Sequence, residues 1–366
     1  MTKSTMKPNR RAILTGGAVA GLATAASAFP APALADGVRK WRMLTSWPKN
    51  SPGPGQTAER LAKRINDASG GKIAVKVYGA GEVVSGFEVF DAVSGGTAEM
   101  AHTAAVYWTG KTAAAAYFTT VPFGLTSREH MAWIYHGGGQ DLWDRLYEPF
   151  GVKPFMAGNT GMQMGGWFKK PIRSVDDLQG LKVRIVGFGG DIYRRMGAAP
   201  VSLPASDIFT SLASGAVDGA EFLGPWIDEA FGFYKAAPYY VWPGFNKPNG
   251  TGECLIGKSL FDELPTDLKQ VVTDACMAEH AFALAEADWK NADALDRLVR
   301  DRGVELMALP QDVVARARTE AGTVMQEALD GAHLGPEILA SYDEAQRKAR
   351  RWAEVGTAAY QTMRGA

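Results

Sequence analysis

Cysteine is almost missing: Cys254 and Cys276 are the only two in 366 residues, and they stand in no CxxC or metal-ligand spacing. That excludes a disulfide framework and a cysteine-built zinc site, leaving two buried free thiols as the expectation. Histidine is scarce as well. His102, His130, His136, His280 and His333 form no HExxH and no paired spacing, which removes the common zinc-hydrolase signatures. There is no G-x-S-x-G elbow, and Gly187-Phe188-Gly189-Gly190 lacks the full dinucleotide fingerprint and reads as a turn. Neither sign of charge dominates, with 39 basic and 39 acidic residues.

What is present begins with a leader. Lys3, Lys7 and the pair Arg10-Arg11 precede an uncharged Ala/Gly-rich run from Ala12 to Phe29, which ends in Ala33-Leu34-Ala35. Residues 1–35 are therefore expected to be an export signal cleaved after Ala35, so the protein is expected in the periplasm. Asn9-Arg10-Arg11-Ala12-Ile13-Leu14 resembles a twin-arginine signal, with an ordinary Sec signal as the alternative. The leader holds four of the basic residues and no acidic one, so the remainder carries 35 basic against 39 acidic, a net charge of −4. That balance opposes nucleic acid as a partner. No later apolar run approaches the roughly 18 residues that cross a bilayer, so the mature chain is expected to be soluble and to meet a membrane only through a partner.

The length and 46% hydrophobic content support two globular lobes. Arg39 to Leu44 reads as a strand, about Gln56 to Ser69 as a helix closed by Gly70-Gly71, and Ile73, Val75 and Val77 alternate as in a half-buried strand. Helix and strand keep alternating through Glu253, the pattern of α/β lobes. Beyond it the chain turns helical, with helices opening near Pro265, Pro310 and Pro336. The last of these, through Arg351-Trp352 to Tyr360, has an apolar face of Trp352, Val355, Ala359, Tyr360 and Met363, suited to its own lobe or to a second subunit. The expected boundaries are 36–158 for most of the first lobe, 159–253 for most of the second, and 254–366 for a helical region bracing both.

An internal echo links the lobes. Ser94 to His102 parallels Ala213 to Glu221, each reading as a helix ended by glycine, then an acid, then a small-residue strand. His102 and Glu221 would then hold corresponding places near strand ends, where α/β proteins bind ligands.

In the stretch Leu178 to Ile185, Leu181, Val183 and Ile185 share one face of a strand, and Lys182 and Arg184 the other. Both faces of a parallel sheet are usually covered, so Arg184, near the strand end, must reach solvent or find an anion. A ligand carboxylate matches the planar fork of a guanidinium; an internal salt bridge is the alternative. Asn159-Thr160-Gly161-Met162-Gln163-Met164-Gly165-Gly166-Trp167 joins amides to glycines, allowing close backbone approach to a ligand, or simply a turn. His136-Gly137-Gly138-Gly139 looks like an esterase oxyanion loop, which keeps an exported hydrolase in view although the serine elbow is missing.

Taken in order, Ser46-Trp47-Pro48-Lys49, Asp91 to Thr103, His136 to Gly139, Asn159 to Trp167, Gly180 to Arg184 and Asp218 to Trp226 resemble the periplasmic solute-binding proteins of TRAP transporters, especially their 2-oxo-acid-binding branch. The resemblance implies two α/β lobes with a hinge and a helical C-terminal region, closing on a small monocarboxylate such as pyruvate or lactate, without catalysis. It implies delivery to TRAP membrane permease subunits and leaves room for a homodimer through the C-terminal helices; a ligand sensor feeding a signalling receptor would use the same cleft. Carried over, Arg184 would meet the ligand carboxylate, with Asn159 and Tyr107 adding hydrogen bonds. Gln163, Glu221 and the carbonyl of Phe222 would hold a sodium or calcium ion bridging protein and ligand, an all-oxygen set suited to a hard cation. Two departures stand out. Phe222 replaces a tryptophan, and Pro243-Gly244-Phe245-Asn246-Lys247 places Lys247 where the branch has an acid, adding positive charge beside the ligand.

Overall fold

The computed structural model describes residues 37–365. The expected export signal lies outside them. Strand β1 (Arg39–Thr45), helix α1 (Pro54–Ala68), strand β2 (Ile73–Tyr78), helix α2 (Val89–Ser94) and strand β3 (Met100–Thr103) open the first lobe. Ala58, Leu61, Ala62 and Ile65 recur at helical spacing on α1 and bury one stripe, while Ile73, Val75 and Val77 of β2 point inward. Helices α3 (Ser127–His136) and α4 (Gly139–Tyr147) then lead into strand β4 (Val152–Asn159). Their packing is aromatic, with Phe118 stacked on Trp133 and Trp143 at 5.4 and 4.9 Å between centroids.

The second lobe runs through β5 (Gly166–Phe168), β6 (Lys182–Arg184), α5 (Phe188–Arg195), β7 (Ala199–Val201), α6 (Ala205–Ser214), β8 (Gly219–Ala220), α7 (Pro225–Phe231) and β9 (Tyr239–Trp242). The chain next returns as β10 (Thr251–Gly257), followed by α8 (Lys258–Asp262), the 37-residue α9 (Thr266–Arg302), β11 (Glu305–Ala308), α10 (Gln311–Leu329), α11 (Gly335–Val355) and α12 (Thr357–Arg364). Two sheets result, in the orders β2-β1-β3-β10-β4 and β11-β9-β5-β8-β6-β7.

The expected lobe boundaries are thus too simple. Strand β10 spans the expected break at 253/254 and inserts antiparallel between β3 and β4 of the first sheet. Strand β11, inside the region expected to be helical, edges the second sheet against β9. The chain passes between the two sheets three times: between β4 and β5, between β9 and β10, and along α9, about 55 Å long at 1.5 Å per residue. The first two crossings are hydrogen-bonded to each other, Thr160 N donating to Gly250 O, Gln163 N to Lys247 O and Gly244 N to Gln163 O. Buried Glu279 of α9 accepts from Arg60 Nε and Arg64 Nε of α1, both at 2.8 Å, fixing that helix on the first lobe.

Other local expectations resolve simply. Gly187-Phe188-Gly189-Gly190 is the start of α5 rather than an isolated turn. His136 to Gly139 is the corner between α3 and α4, with Gly138 in the left-handed region; it is a helix junction, not an oxyanion loop. Cys254 and Cys276 are buried and free, their thiols against one another. The expected continuous last helix is broken at Gly356, and Trp352, Val355, Tyr360 and Met363 are exposed rather than packed on their own lobe. Among the described residues no helix is long and apolar enough to cross a membrane.

Candidate ligand cleft at the hinge

The echoed units are realised as matching backbone. Helix α2 ends at Gly95 and leads to β3; helix α6 ends at the left-handed Gly215 and leads to β8. Strand β3 runs parallel to β1 and β8 parallel to β6, so His102 pairs with Thr45 while Glu221, one residue past β8, donates its N–H to Arg184 O at 2.8 Å. Both side chains are buried.

Arg184 is wholly buried. Its Nε and Nη2 both donate to Leu203 O, at 3.0 and 2.9 Å, and Nη1 donates to Glu221 O at 2.7 Å. Two backbone carbonyls therefore fix the fork and leave one N–H on each Nη without a partner. The Glu221 carboxylate is near, but at 3.7 Å from Nη1 it is beyond hydrogen-bond reach. From the first lobe, the Tyr107 hydroxyl stands beside the guanidinium; burial raises its pKa and the Arg184 charge holds it down.

Lys247, on the second crossing, is 5% exposed. Its Nζ lies 2.7 Å from Glu221 Oε1 and donates to Phe222 O at 3.4 Å. The carboxylate contact is an ion pair whose angle is poor for a hydrogen bond, so both Glu221 oxygens remain without hydrogen bonds. Burial pulls the Lys247 pKa below its ordinary value and Arg184 adds to that, while Glu221 pulls it back up. Gln163, on the first crossing, donates through Nε2 to Thr160 Oγ1 at 2.8 Å and leaves a buried Oε1 unpartnered. A Cβ on Gly250 would run into both Thr160 Oγ1 and Gln163 Nε2, so this glycine lets the crossings lie close enough to hold the amide.

A cleft between the lobes encloses about 590 Å³ of non-atom space, its open mouth included. Of the expected site residues, Tyr107, Asn159, Gln163 and Lys247 line it, whereas Arg184, Glu221 and Phe222 sit behind that wall. Asn159 is fully engaged within the protein. Its Nδ2 donates to Asn249 Oδ1 and Thr251 Oγ1, and its Oδ1 accepts from Ser127 Oγ and Gly161 N. Instead of presenting a free donor to a ligand, it ties β4 to β10. His102 is engaged too, accepting from Trp47 Nε1 at Nδ1 (2.9 Å) and donating from Nε2 to Ala157 O (2.6 Å); burial takes its pKa down to about 4, so the ring is neutral.

Asp228, which sequence reasoning missed, shapes the second lobe's half. Its Oδ2 accepts from Trp167 Nε1 and Tyr240 OH, and its Oδ1 accepts from Leu223 N, clamping the turn that carries Glu221 and Phe222. Burial lifts its pKa to about 7 against those three hydrogen bonds. The available signal was a tryptophan and a tyrosine on interior strands, each needing an acceptor. Leu203 O left no such signal, because a backbone acceptor has no residue type.

By donor chemistry, Gln163 Oε1, the Glu221 carboxylate and Phe222 O suit a hard cation, being buried oxygens with unused lone pairs. An ammonium, that of Lys247, already touches two of the three groups.

Two α/β lobes whose sheets are joined by three passages of the chain, with a buried, half-partnered guanidinium facing the other lobe at the crossing, define a hinged receptor for a small anion. The chain belongs to family 7 of the bacterial extracellular solute-binding proteins, the solute-binding proteins of TRAP transporters; that family's model matches residues 43–331. It is 37% identical over 324 residues, 88% of each chain, to a monocarboxylate 2-oxoacid-binding periplasmic protein of Nostoc sp.. Among solved structures, it is similar to a TRAP solute-binding protein of Pseudoalteromonas atlantica with bound sodium and pyruvate, at 34% identity and a TM-score of 0.85, covering 88% of this chain and 98% of that one. A Bordetella bronchiseptica TRAP solute-binding protein, a mixed-occupancy dimer with calcium and picolinate in one site, matches at 32% identity and a TM-score of 0.86, covering 88% and 96%.

Proposed function

We propose that this receptor captures a small 2-oxo monocarboxylate of the pyruvate type outside the cytoplasm and hands it, unreacted, to a TRAP membrane permease. The observation that carries this is Arg184: a wholly buried guanidinium, oriented by two carbonyls, with no carboxylate in hydrogen-bond range. Such a group needs an anion, and the one the chain supplies, Glu221, forms only a long ion pair with it at 3.7 Å and is shared with Lys247. The fork would take the carboxylate of the ligand, and Tyr107 from the opposite lobe would close onto it, so ligand binding favours the closed form. Asn159 would act by holding the crossing strands in place. The names of the similar receptors, for 2-oxo acids and for pyruvate, support this ligand class.

Calorimetry with pyruvate and related 2-oxo and 2-hydroxy acids tests the reading. Arg184→Ala is expected to cost about 2–5 kcal/mol of affinity, the range for removing one partner of a buried charge pair. A variant binding as tightly as the parent would overturn the assignment. The exposed apolar side chains of α11 and α12 are assigned to pairing with a second copy of this chain; light scattering on Trp352→Ser should then show a shift toward monomer.

A further inference from the structure

We propose that the Lys247 ammonium takes the seat of the bridging cation, so that this receptor grips its ligand between Arg184 and Lys247 without a metal ion. The inference rests on the 2-oxo-acid reading and deepens it.

Position argues for it first. Lys247 Nζ is 2.7 Å from Glu221 Oε1 and 3.4 Å from Phe222 O, two of the groups that would otherwise ligate an ion. Hard cations sit about 2.3–2.6 Å from their oxygens, whereas an ammonium stands off by about 2.7–2.9 Å; the Glu221 contact has that spacing and the Phe222 O contact is longer still. A metal entering the same oxygens would have to displace a side chain that is 5% exposed and whose own carbonyl is hydrogen-bonded by Gln163 N.

Charge argues the same way. Arg184 and Lys247 oppose the single carboxylate of Glu221, so the site carries a net charge of plus one. A monocarboxylate brings it to zero. An added sodium or calcium ion would leave buried positive charge uncompensated, which a low-dielectric site resists. With an acid in place of Lys247, the same ledger would call for a metal. The nearby Asp228, its pKa lifted to about 7 by burial, is protonated below that pH and there leaves the balance at plus one. Finally, Lys247 lines the cleft, so an N–H not aimed at Glu221 or Phe222 can reach a ligand oxygen.

The test uses the full mature protein, stripped with EDTA and dialysed into sodium-free buffer, with calorimetric titration of pyruvate and, separately, of calcium alone. The parent is expected to bind pyruvate with an affinity that changes by less than about threefold when calcium or sodium is restored, and to show no heat with calcium alone. Lys247→Glu is expected to bind calcium alone and to need it for pyruvate, with a gap of about tenfold or more between metal-loaded and stripped protein. A parent that loses about tenfold on stripping and regains it with either cation overturns the inference and leaves the 2-oxo-acid reading standing. Failure of the parent to bind any 2-oxo acid, with or without metal, overturns both. Should Lys247→Glu not fold, the parent arms decide alone, and Lys247→Gln, which keeps the length and removes the charge, repeats the comparison.

Discussion

After Gly95 and again after Gly215 the chain passes from a helix through an acid into a short strand, and at the end of one strand stands His102, at the end of the other Glu221. The backbone is alike and the use is opposite. His102 has both ring nitrogens hydrogen-bonded and carries no charge, so it knits Trp47 to β4. Glu221 has neither oxygen hydrogen-bonded and lies between two cations. One lobe closes its polar group off as structure; the other leaves its carboxylate without hydrogen bonds between two cations.

Exchanging the charged member should break this contrast most severely. Glu221→Gln leaves Arg184 and Lys247 facing each other with no anion, a loss of about 3–5 kcal/mol of stability for a broken buried pair. Chemical denaturation measures it, and added pyruvate should restore part of it by supplying the missing charge. A variant as stable as the parent would mean that the two cations do not feel Glu221. On the other side of the echo, His102→Ala strands Trp47 Nε1 and Ala157 O and should cost about 1–3 kcal/mol of stability. Pyruvate affinity, measured on the same samples, should change far less than it does in Glu221→Gln.

A smaller effect probes contact between the lobes. Gly187, before α5, has φ +63°, and a Cβ there would strike the Val106 methyl Cγ2 of the opposite lobe. With ψ at −157° Gly187 sits in a backbone region that is essentially glycine-only, so Gly187→Ala should pay about 1–3 kcal/mol of strain in any state and the clash only when the lobes meet. Gly151→Ala, in the left-handed region at φ +66°, ψ +30° with nothing near the added carbon, serves as a control for a strained glycine that makes no contact between lobes. Both variants should melt lower than the parent, and only Gly187→Ala should also weaken pyruvate binding.

How much of this was legible beforehand follows from what local sequence encodes. Periodicity showed α1 and β2, prolines marked the starts of α9, α10 and α11, and the echo placed His102 and Glu221 at matching strand ends. The buried Arg184 could be read because alternation put a cation on a face that a sheet covers. The return of β10 to the first sheet could not, because strand pairing is decided by partners distant in sequence. Nor could the engagement of Asn159, whose partners Ser127, Asn249 and Thr251 meet only after the lobes are crossed. An amide in a glycine-rich stretch looks the same whether it waits for a ligand or is already bonded.

The mildest test is pH, where the two kinds of buried group pull in opposite directions. Burial lifts Glu253 to about 8 and Asp228 to about 7, against ordinary carboxylates near 4. The folded state therefore holds these protons when the unfolded state has lost them, so stability falls as pH rises from about 4 toward 8. His102, His130 and His280 are pushed down to about 4, 3 and 4 by burial, against about 6.5 unfolded. There the unfolded state takes up protons that the folded state refuses, so stability falls as pH drops below about 6.5. Between about 6.5 and 8 only the carboxyl groups act, and the melting temperature should decline over that window. Glu253, held by Trp108 Nε1 and Tyr147 OH away from the ligand cleft, can be tested alone. Glu253→Gln should flatten the decline between about pH 6.5 and 8 and steepen the acid-side loss, because between about pH 4 and 6.5 the raised carboxyl no longer offsets the histidines. An unchanged slope on the alkaline side would show that Glu253 is already ionised in the folded protein.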